Sequence, residues 1–193
     1  MRDQVSKVCQ TAYLEIRRIL SIRKCLTTEA TKPPVSSLVI SRLDYCNFLV
    51  AGVPQKHLNK LQRLVNCAAR LVCTASKREY ICPVLADLHW LPVSDRFEYK
   101  IATVCCDVTS GSAPPYLADL QLYTPSRSPR SSADSRIFRI PIRWKKFYGQ
   151  LAFPFIGSVI WNRLPFSARH AQTVGSFKPQ LKPHLFSVYF KAQ

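Results

Sequence analysis

The chain has 193 residues, of which 47% are apolar and 11% aromatic, a composition that excludes wholesale disorder and suffices for one or two domains. Its 28 Lys and Arg against 11 Asp and Glu give a formal net charge of +17, which favours anionic partners such as phosphate backbones, anionic lipid or acidic protein. The longest uncharged run, Phe147 to Asn162, has 16 residues, fewer than the roughly 20 of a membrane span, so we expect no membrane partner.

The first 120 residues predict a helical domain, and its N-terminal part contains two helices. Apolar residues recur at three- and four-residue steps from Gln4 to Leu26, which indicates a basic amphipathic helix. We expect Thr31 to Pro34 to break the helical path. Ser36 or Ser37 then caps a second helix that runs to about Ala51.

Three further helices and a corner complete this domain. An apolar stripe predicts a helix over about Lys56 to Ala75, Pro83 suits the first turn of a short helix, and Pro92 opens another that ends at Gly111. The segment between these last two helices predicts a structural corner, formed by His89, Trp90, Leu91 and Pro92. We expect the side chains of Trp90 and Leu91 to fill the core at this corner.

A Ser-, Arg- and Pro-rich linker is predicted over 121–135, followed by a basic, aromatic and partly irregular segment over 136–193. The stretch RIFRIPIRW predicts a short β segment, limited to an edge by Pro141. Ala152 to Arg163 predicts a helix. The terminal stretch could form a helix capped by Ser176, and we expect Pro179 and Pro183 to leave it kinked or frayed. The fold class is therefore mainly α, a small helical bundle with a basic tail.

Charge is concentrated at the C-terminal end. Residues 1–134 hold 18 basic and all 11 acidic residues, whereas 135–193 hold ten basic residues and no acidic one. Cations interleaved with aromatics can hold phosphates while stacking bases. The predicted nucleic-acid-binding residues are Arg136, Arg139, Arg143, Trp144, Lys145, Lys146, Phe147 and Tyr148, with Phe138 as a further stacking ring.

The same pattern has a second interpretation, in which the aromatics form a core and the cations are a solvated face. Both interpretations stay open on the sequence alone. If the tail does not bind, the cations of the N-terminal helices are the remaining candidates, namely Arg17, Arg18, Lys60, Arg63 and Arg70.

The eight cysteines include no CxxC pair. The best metal-ligand set, Cys67, Cys73, Cys82 and His89, has spacings that fit no standard zinc motif, so we expect free thiols and neither metal nor cofactor.

The N-terminus resembles neither a signal nor a transit peptide, which favours a nuclear or cytoplasmic location.

The sequence contains no phosphate-binding glycine loop, metalloprotease motif or nucleophile elbow. Asp44 is interpreted as a structural or solvated partner of Arg42 and not as a catalytic acid. We therefore expect a protein that is not an enzyme.

Several ordered motifs resemble one family. SRLDYCNFLVAGVPQKHLNKLQRLVNCAARLV, LHWLPVSDRFEYK, APPYLADL, YTPSRSPRSS, and WNRLP with SFKPQLKPHLF together resemble the C-terminal region of reverse transcriptases from LINE-type non-LTR retrotransposons, particularly chicken-repeat-like elements. The resemblance covers nearly the whole chain.

The resemblance implies a fragment downstream of the polymerase palm, in the thumb-like helical region that handles template RNA and target DNA. The palm with its metal-binding aspartates, and the endonuclease, are not in this sequence, so the resemblance transfers no catalytic residue. It implies weakly sequence-selective binding of RNA or DNA, single-stranded or hybrid. The alternatives are a protein-interaction or scaffold module and a decayed element fragment without a selected function.

Overall fold

The computed structural model describes residues 2–46, 55–114, 117, 136–140 and 153–191. These residues are mainly α-helical. The helices are α1 (Arg2–Ile22), α2 (Thr28–Val35), α3 (Ser41–Cys46), α4 (Gln55–Cys73), α5 (Ile81–Asp87), α6 (Val93–Thr109), α7 (Phe153–Arg163), α8 (Phe166–Arg169) and α9 (Val174–Lys191), with a 3₁₀ turn at Arg23–Cys25 and a π-helical turn at Ser36–Ile40.

The chain divides into two compact units, residues 1–97 with 190–193, and residues 98–189. The division falls within α6, earlier in the chain than the domain boundary predicted at 120. The predicted linker over 121–135 lies outside the described residues.

The first unit has a core built on α1 and α4. Both helices place apolar residues at three- and four-residue steps, so that each presents one continuous apolar face. The buried residues of these two faces are Val5, Cys9, Ala12, Ile16, Ile19, Leu61, Leu64, Val65, Ala68, Ala69, Leu71 and Val72. The predicted α1 and α4 are thus confirmed to within a few residues at each end.

The path between α1 and α4 differs from the prediction. Thr27 caps α2 by accepting a hydrogen bond on Oγ1 from the Ala30 amide at 3.2 Å, and Ser36 has helical backbone angles. Pro33 and Pro34 lie inside α2 and do not break it, and the π-helical turn follows them directly. Proline lacks an amide hydrogen but has a helical φ, so these two residues remove hydrogen-bond donors while they keep the helical path.

Three helices end in residues with a positive φ. Gly111 (φ 70) ends α6 as predicted, whereas Thr74 (φ 57) ends α4 and His89 (φ 52) ends α5. The left-handed region favours glycine at such C-terminal caps because it has no Cβ. At Thr74 and His89 the left-handed backbone has a steric cost, and other contacts of the folded chain must offset it.

The second unit packs around an aromatic core. The Trp161 ring lies 5.7 Å from that of Phe138 and 5.6 Å from that of Phe177, centroid to centroid, and all three side chains are almost completely buried. Such tilted ring pairs are favourable beyond the area that they bury. The helix predicted at 152–163 is confirmed as α7.

The terminal helix α9 is continuous from Val174 to Lys191, so the fraying that was expected as an alternative to a kink does not occur. Its cap is Thr173, since Thr173 Oγ1 accepts from the Ser176 amide at 3.2 Å and Ser176 Oγ accepts from the Thr173 amide at 3.3 Å. Ser176, which was predicted as the cap, instead takes the third helical position of this capping box, three residues after the observed cap Thr173. Phe177, Leu181 and Leu185 hold one face of α9 in the core.

Residues 136–140 form no helix, and a single β-bridge at Phe138 replaces the predicted short strand among the described residues. Pro141 lies outside them. Within the described ranges, none of the helices combines the length and the apolar character that a membrane span requires.

Candidate nucleic-acid interface

The predicted corner connects α5 to α6 in the first unit. His89 and Trp90 close the end of α5, because the His89 amide donates to the Ala86 carbonyl and the Trp90 amide to the Leu85 carbonyl, both at 2.9 Å. This pair of bonds is the Schellman arrangement. Leu91 and Pro92 are buried, Trp90 is half-buried and His89 is exposed, so Leu91 fills the core more completely than Trp90 does.

Arg96 joins the corner to α3. Its Nε donates to the Leu91 carbonyl at 2.8 Å, and its Nη1 lies 3.3 Å from both carboxylate oxygens of Asp44. The guanidinium carbon lies 6.0 Å from the centroid of the Trp90 ring. Asp44 therefore forms an ion pair with Arg96, a partner that the sequence did not predict because 52 residues separate the two in the chain.

Gln62 of α4 supports the same corner. Its Oε1 accepts from the Val93 amide at 2.9 Å, and its Nε2 donates to Asn66 Oδ1 at 2.8 Å. Because the first amides of a helix have no partner within it, Gln62 supplies a missing acceptor for α6. Two of the sequence motifs, residues 41–72 and LHWLPVSDRFEYK, thus meet through the Gln62 bond to the Val93 amide and the ion pair of Asp44 with Arg96.

Two of the eight residues predicted to bind nucleic acid lie within the described part of the chain, Arg136 and Arg139. The other six lie outside it, and they are Arg143, Trp144, Lys145, Lys146, Phe147 and Tyr148.

Arg136 is half-buried and bonded within the protein. Its Nη1 donates to the Ala171 carbonyl at 2.9 Å and lies 3.4 Å from the carbonyl of Arg169, the last residue of α8. A guanidinium beside the last carbonyls of a helix stabilises them. Arg136 therefore has a structural role, which the sequence pattern did not predict.

Phe138, which was predicted as a further stacking ring, is not accessible to bases in this structure. Its side chain is only 1% exposed and packs against Trp161 in the core. Here the second interpretation of the aromatic pattern, a core residue among solvated cations, is the correct one.

Exposed cations of the second unit remain accessible. Arg139, Arg163, Lys178 and Lys182 are exposed, and none of them forms an ion pair with another described residue. The sequence from 135 to 193 offers no acidic partner. By contrast, Arg169 is 7% exposed and its Nε donates to the Leu164 carbonyl at 3.0 Å, so it is not accessible.

Sequence reasoning passed over Lys178 and Lys182, although their four-residue spacing places them on one face of a helix. The interior prolines led us to expect a kinked or frayed terminus, so we did not predict a helix face that carries both lysines. Arg163 gave no separate signal beyond its place in the acid-free segment.

The cations of the N-terminal helices divide into two groups. Arg18 pairs with Glu15 at 3.1 Å, and Arg70 donates to the Ser76 and Glu79 carbonyls at 3.1 Å. Arg17, Lys60 and Arg63 are exposed and have no such bond to a described residue. This second group is the weaker candidate, because all 11 acidic residues lie within residues 1–134 of the sequence and none within 135–193.

The best candidate set of metal ligands in the sequence, Cys67, Cys73, Cys82 and His89, is not assembled in the structure. Among the described residues, no group of three or more His, Cys, Asp or Glu side chains lies close enough to hold a metal ion. The cysteines whose side chains are described are free thiols. Burial raises the pKa of the Cys105 and Cys9 thiols.

Comparison of the chain with protein-family models, with curated proteins and with solved structures found no match.

Proposed function

We propose that the chain is a non-catalytic nucleic-acid-binding fragment derived from a retrotransposon reverse transcriptase, which contacts RNA or DNA through its basic C-terminal segment. The motif resemblance motivates the origin. The binding proposal depends on one observation, the exposed cations of an acid-free segment.

The support is electrostatic. Four exposed cations, Arg139, Arg163, Lys178 and Lys182, belong to a stretch of 59 residues without a carboxylate side chain. Solubility alone is achieved by mixing both signs of charge on a surface. An unmixed positive field attracts phosphates and releases their counterions on binding.

Salt dependence tests this proposal. If about five phosphates are neutralised on a single strand, log K falls against log salt with a slope of roughly −3.5. We expect this slope for a fluorescein-labelled single-stranded RNA of mixed sequence, measured by anisotropy at several salt concentrations.

The informative variant is Lys178→Glu with Lys182→Glu. Removing two contacts should reduce the magnitude of the slope by about 1.4. A control of equal charge change is Lys24→Glu with Lys77→Glu, two exposed lysines of the first unit, for which the slope stays the same. Equal slopes for both variants would reject the C-terminal segment as the binding element and favour a protein partner or the N-terminal cations.

A further inference from the structure

Asn162 holds the non-helical segment 136–140 through a pair of amide bonds. Its Oδ1 accepts from the Phe138 amide at 3.0 Å, and its Nδ2 donates to the Phe138 carbonyl at 2.9 Å. Both backbone groups of one residue are thus bonded to one side chain. A neighbouring β-strand would offer the same donor and acceptor.

Two other residues of α7 bond to the same segment. Trp161 Nε1 donates to the Arg136 carbonyl at 2.8 Å, and Ser158 Oγ lies 3.4 Å from the Arg139 carbonyl. Ser158, Trp161 and Asn162 occupy positions i, i+3 and i+4 of α7 and therefore share one face. Side chains of a single helix face thus bond to the backbone of residues 136, 138 and 139.

These bonds fix which side chains of the segment are accessible. Phe138 is buried beside Trp161, and its neighbour Arg139 is exposed. A slip of the segment by one residue in one direction would place the Arg139 side chain in the buried position of Phe138. Burying a guanidinium in an aromatic core is unfavourable, so the amide pair and the core select the same register.

We propose that Asn162 is a positioning residue of the nucleic-acid interface, which binds Phe138 by its backbone and so keeps Arg139 exposed to bind phosphate. This inference depends on the function proposed above. It gives the WNRLP motif a role in binding that is additional to its exposed cation Arg163.

The experiment is a double-mutant cycle on the salt dependence of RNA binding. Arg139→Gln should lower the magnitude of the slope by about 0.7 and the affinity about 5-fold at 0.1 M salt, the effect of one lost phosphate contact. Asn162→Leu should produce the same two changes. In the Arg139→Gln background, Asn162→Leu should cause no further loss of affinity or slope, because both changes remove the same phosphate contact.

Gln172→Leu is the matched control, since it removes an exposed amide from the same unit without a charge change. Circular dichroism establishes that each variant is folded. If Asn162→Leu does not fold, Asn162→Gln replaces it, because this variant keeps the amide and displaces it by one methylene.

Two results would overturn the inference. One is a folded Asn162 variant with an unchanged slope while Arg139→Gln lowers it. The other is an additive loss in the double variant, which would indicate a general structural effect. In both cases the proposed function stands. If both Arg139→Gln and the double variant Lys178→Glu with Lys182→Glu leave the salt-dependence slope unchanged, the proposed function itself fails.

Discussion

The amide of Trp90 donates a hydrogen bond to the carbonyl of Leu85 at 2.9 Å, and this bond closes the turn that ends α5, in which His89 directly precedes Trp90. His89 is thereby held at a φ of 52°. A left-handed backbone costs an L-residue about 1 to 2 kcal/mol, and most for β-branched side chains.

The contrast between His89→Gly and His89→Val tests this backbone role. Both changes remove the imidazole, and only glycine adopts the left-handed region freely. We expect the glycine variant to exceed the valine variant in free energy of unfolding by about 1 to 2 kcal/mol. Urea denaturation followed by circular dichroism measures this difference, and equal stabilities would show that the left-handed backbone at residue 89 does not determine the stability of this position.

The two tryptophans differ in burial, and their truncation should differ in cost. Trp161 is completely buried between two rings and donates from Nε1, so Trp161→Ala should cost about 3 to 5 kcal/mol. Trp90 is half-buried, and Trp90→Ala should cost about 1 to 3 kcal/mol because less apolar area is lost.

Chemical denaturation of the two variants gives the comparison. Trp161→Phe serves as a control that keeps most of the ring volume and loses the bond to the Arg136 carbonyl, at a cost of about 1 to 2 kcal/mol. A larger loss for Trp90→Ala than for Trp161→Ala would contradict the assignment of Trp161 to the core.

The ion pair between Asp44 and Arg96 should be measurable. The side chain of Arg96 is 14% exposed and that of Asp44 is 33% exposed, so solvent screens the pair only partly. We expect a coupling free energy of about 1 kcal/mol from the cycle of Asp44→Asn and Arg96→Met.

Arg96→Met alone should cost more, about 1.5 to 3 kcal/mol, because the Leu91 carbonyl also loses a charged donor. Arg42→Met is the control, since Arg42 lies 3.9 Å from Glu15 and is more exposed. That change should stay within about 0.5 kcal/mol. A coupling of zero would mean that Asp44 and Arg96 do not interact in solution.

Thiol labelling should follow burial. Cys25 and Cys67 are exposed and should react first with iodoacetamide, whereas Cys105 is buried and should react only on unfolding. Burial raises the pKa of the Cys105 thiol, and the thiolate is the reactive form, so a rise from pH 7 to pH 9 should leave it unlabelled.

Peptide mapping by mass spectrometry identifies the labelled positions, and protein unfolded in guanidinium, in which all eight cysteines react, provides the reference. Early modification of Cys105 in the folded protein would contradict its place in the core.

Local patterns predicted the helices well where one face is apolar and a recognisable cap ends the helix, as for α4 and for α6 with Gly111. They failed at Pro33 and Pro179, because packing outweighs the loss of a few backbone bonds. Long-range partners could not be predicted either. The Arg23 guanidinium donates to the Leu71 and Val72 carbonyls, about fifty residues away, and no spacing rule announces such a bond.

The candidate site could be predicted only in part, because its long-range contacts are likewise not visible in the sequence. The excess of cations in 135–193 was evident from composition, whereas the separation of bonded Arg136 from exposed Arg139 depends on tertiary structure. Asn162 was visible only as part of a motif, since an amide side chain that pairs with backbone has no pattern in sequence.

The two interior prolines of α9 have a consequence for its autonomy. Without amide hydrogens at Pro179 and Pro183, the carbonyls of Gly175 and Pro179 have no donor four residues ahead, so the helical ladder is interrupted twice within three turns. Helix propagation depends on an unbroken series of such bonds. The burial of Phe177, Leu181 and Leu185 must therefore supply what the ladder lacks. We therefore expect an isolated peptide of residues 173–191 to have little helix in water, which far-UV circular dichroism would measure.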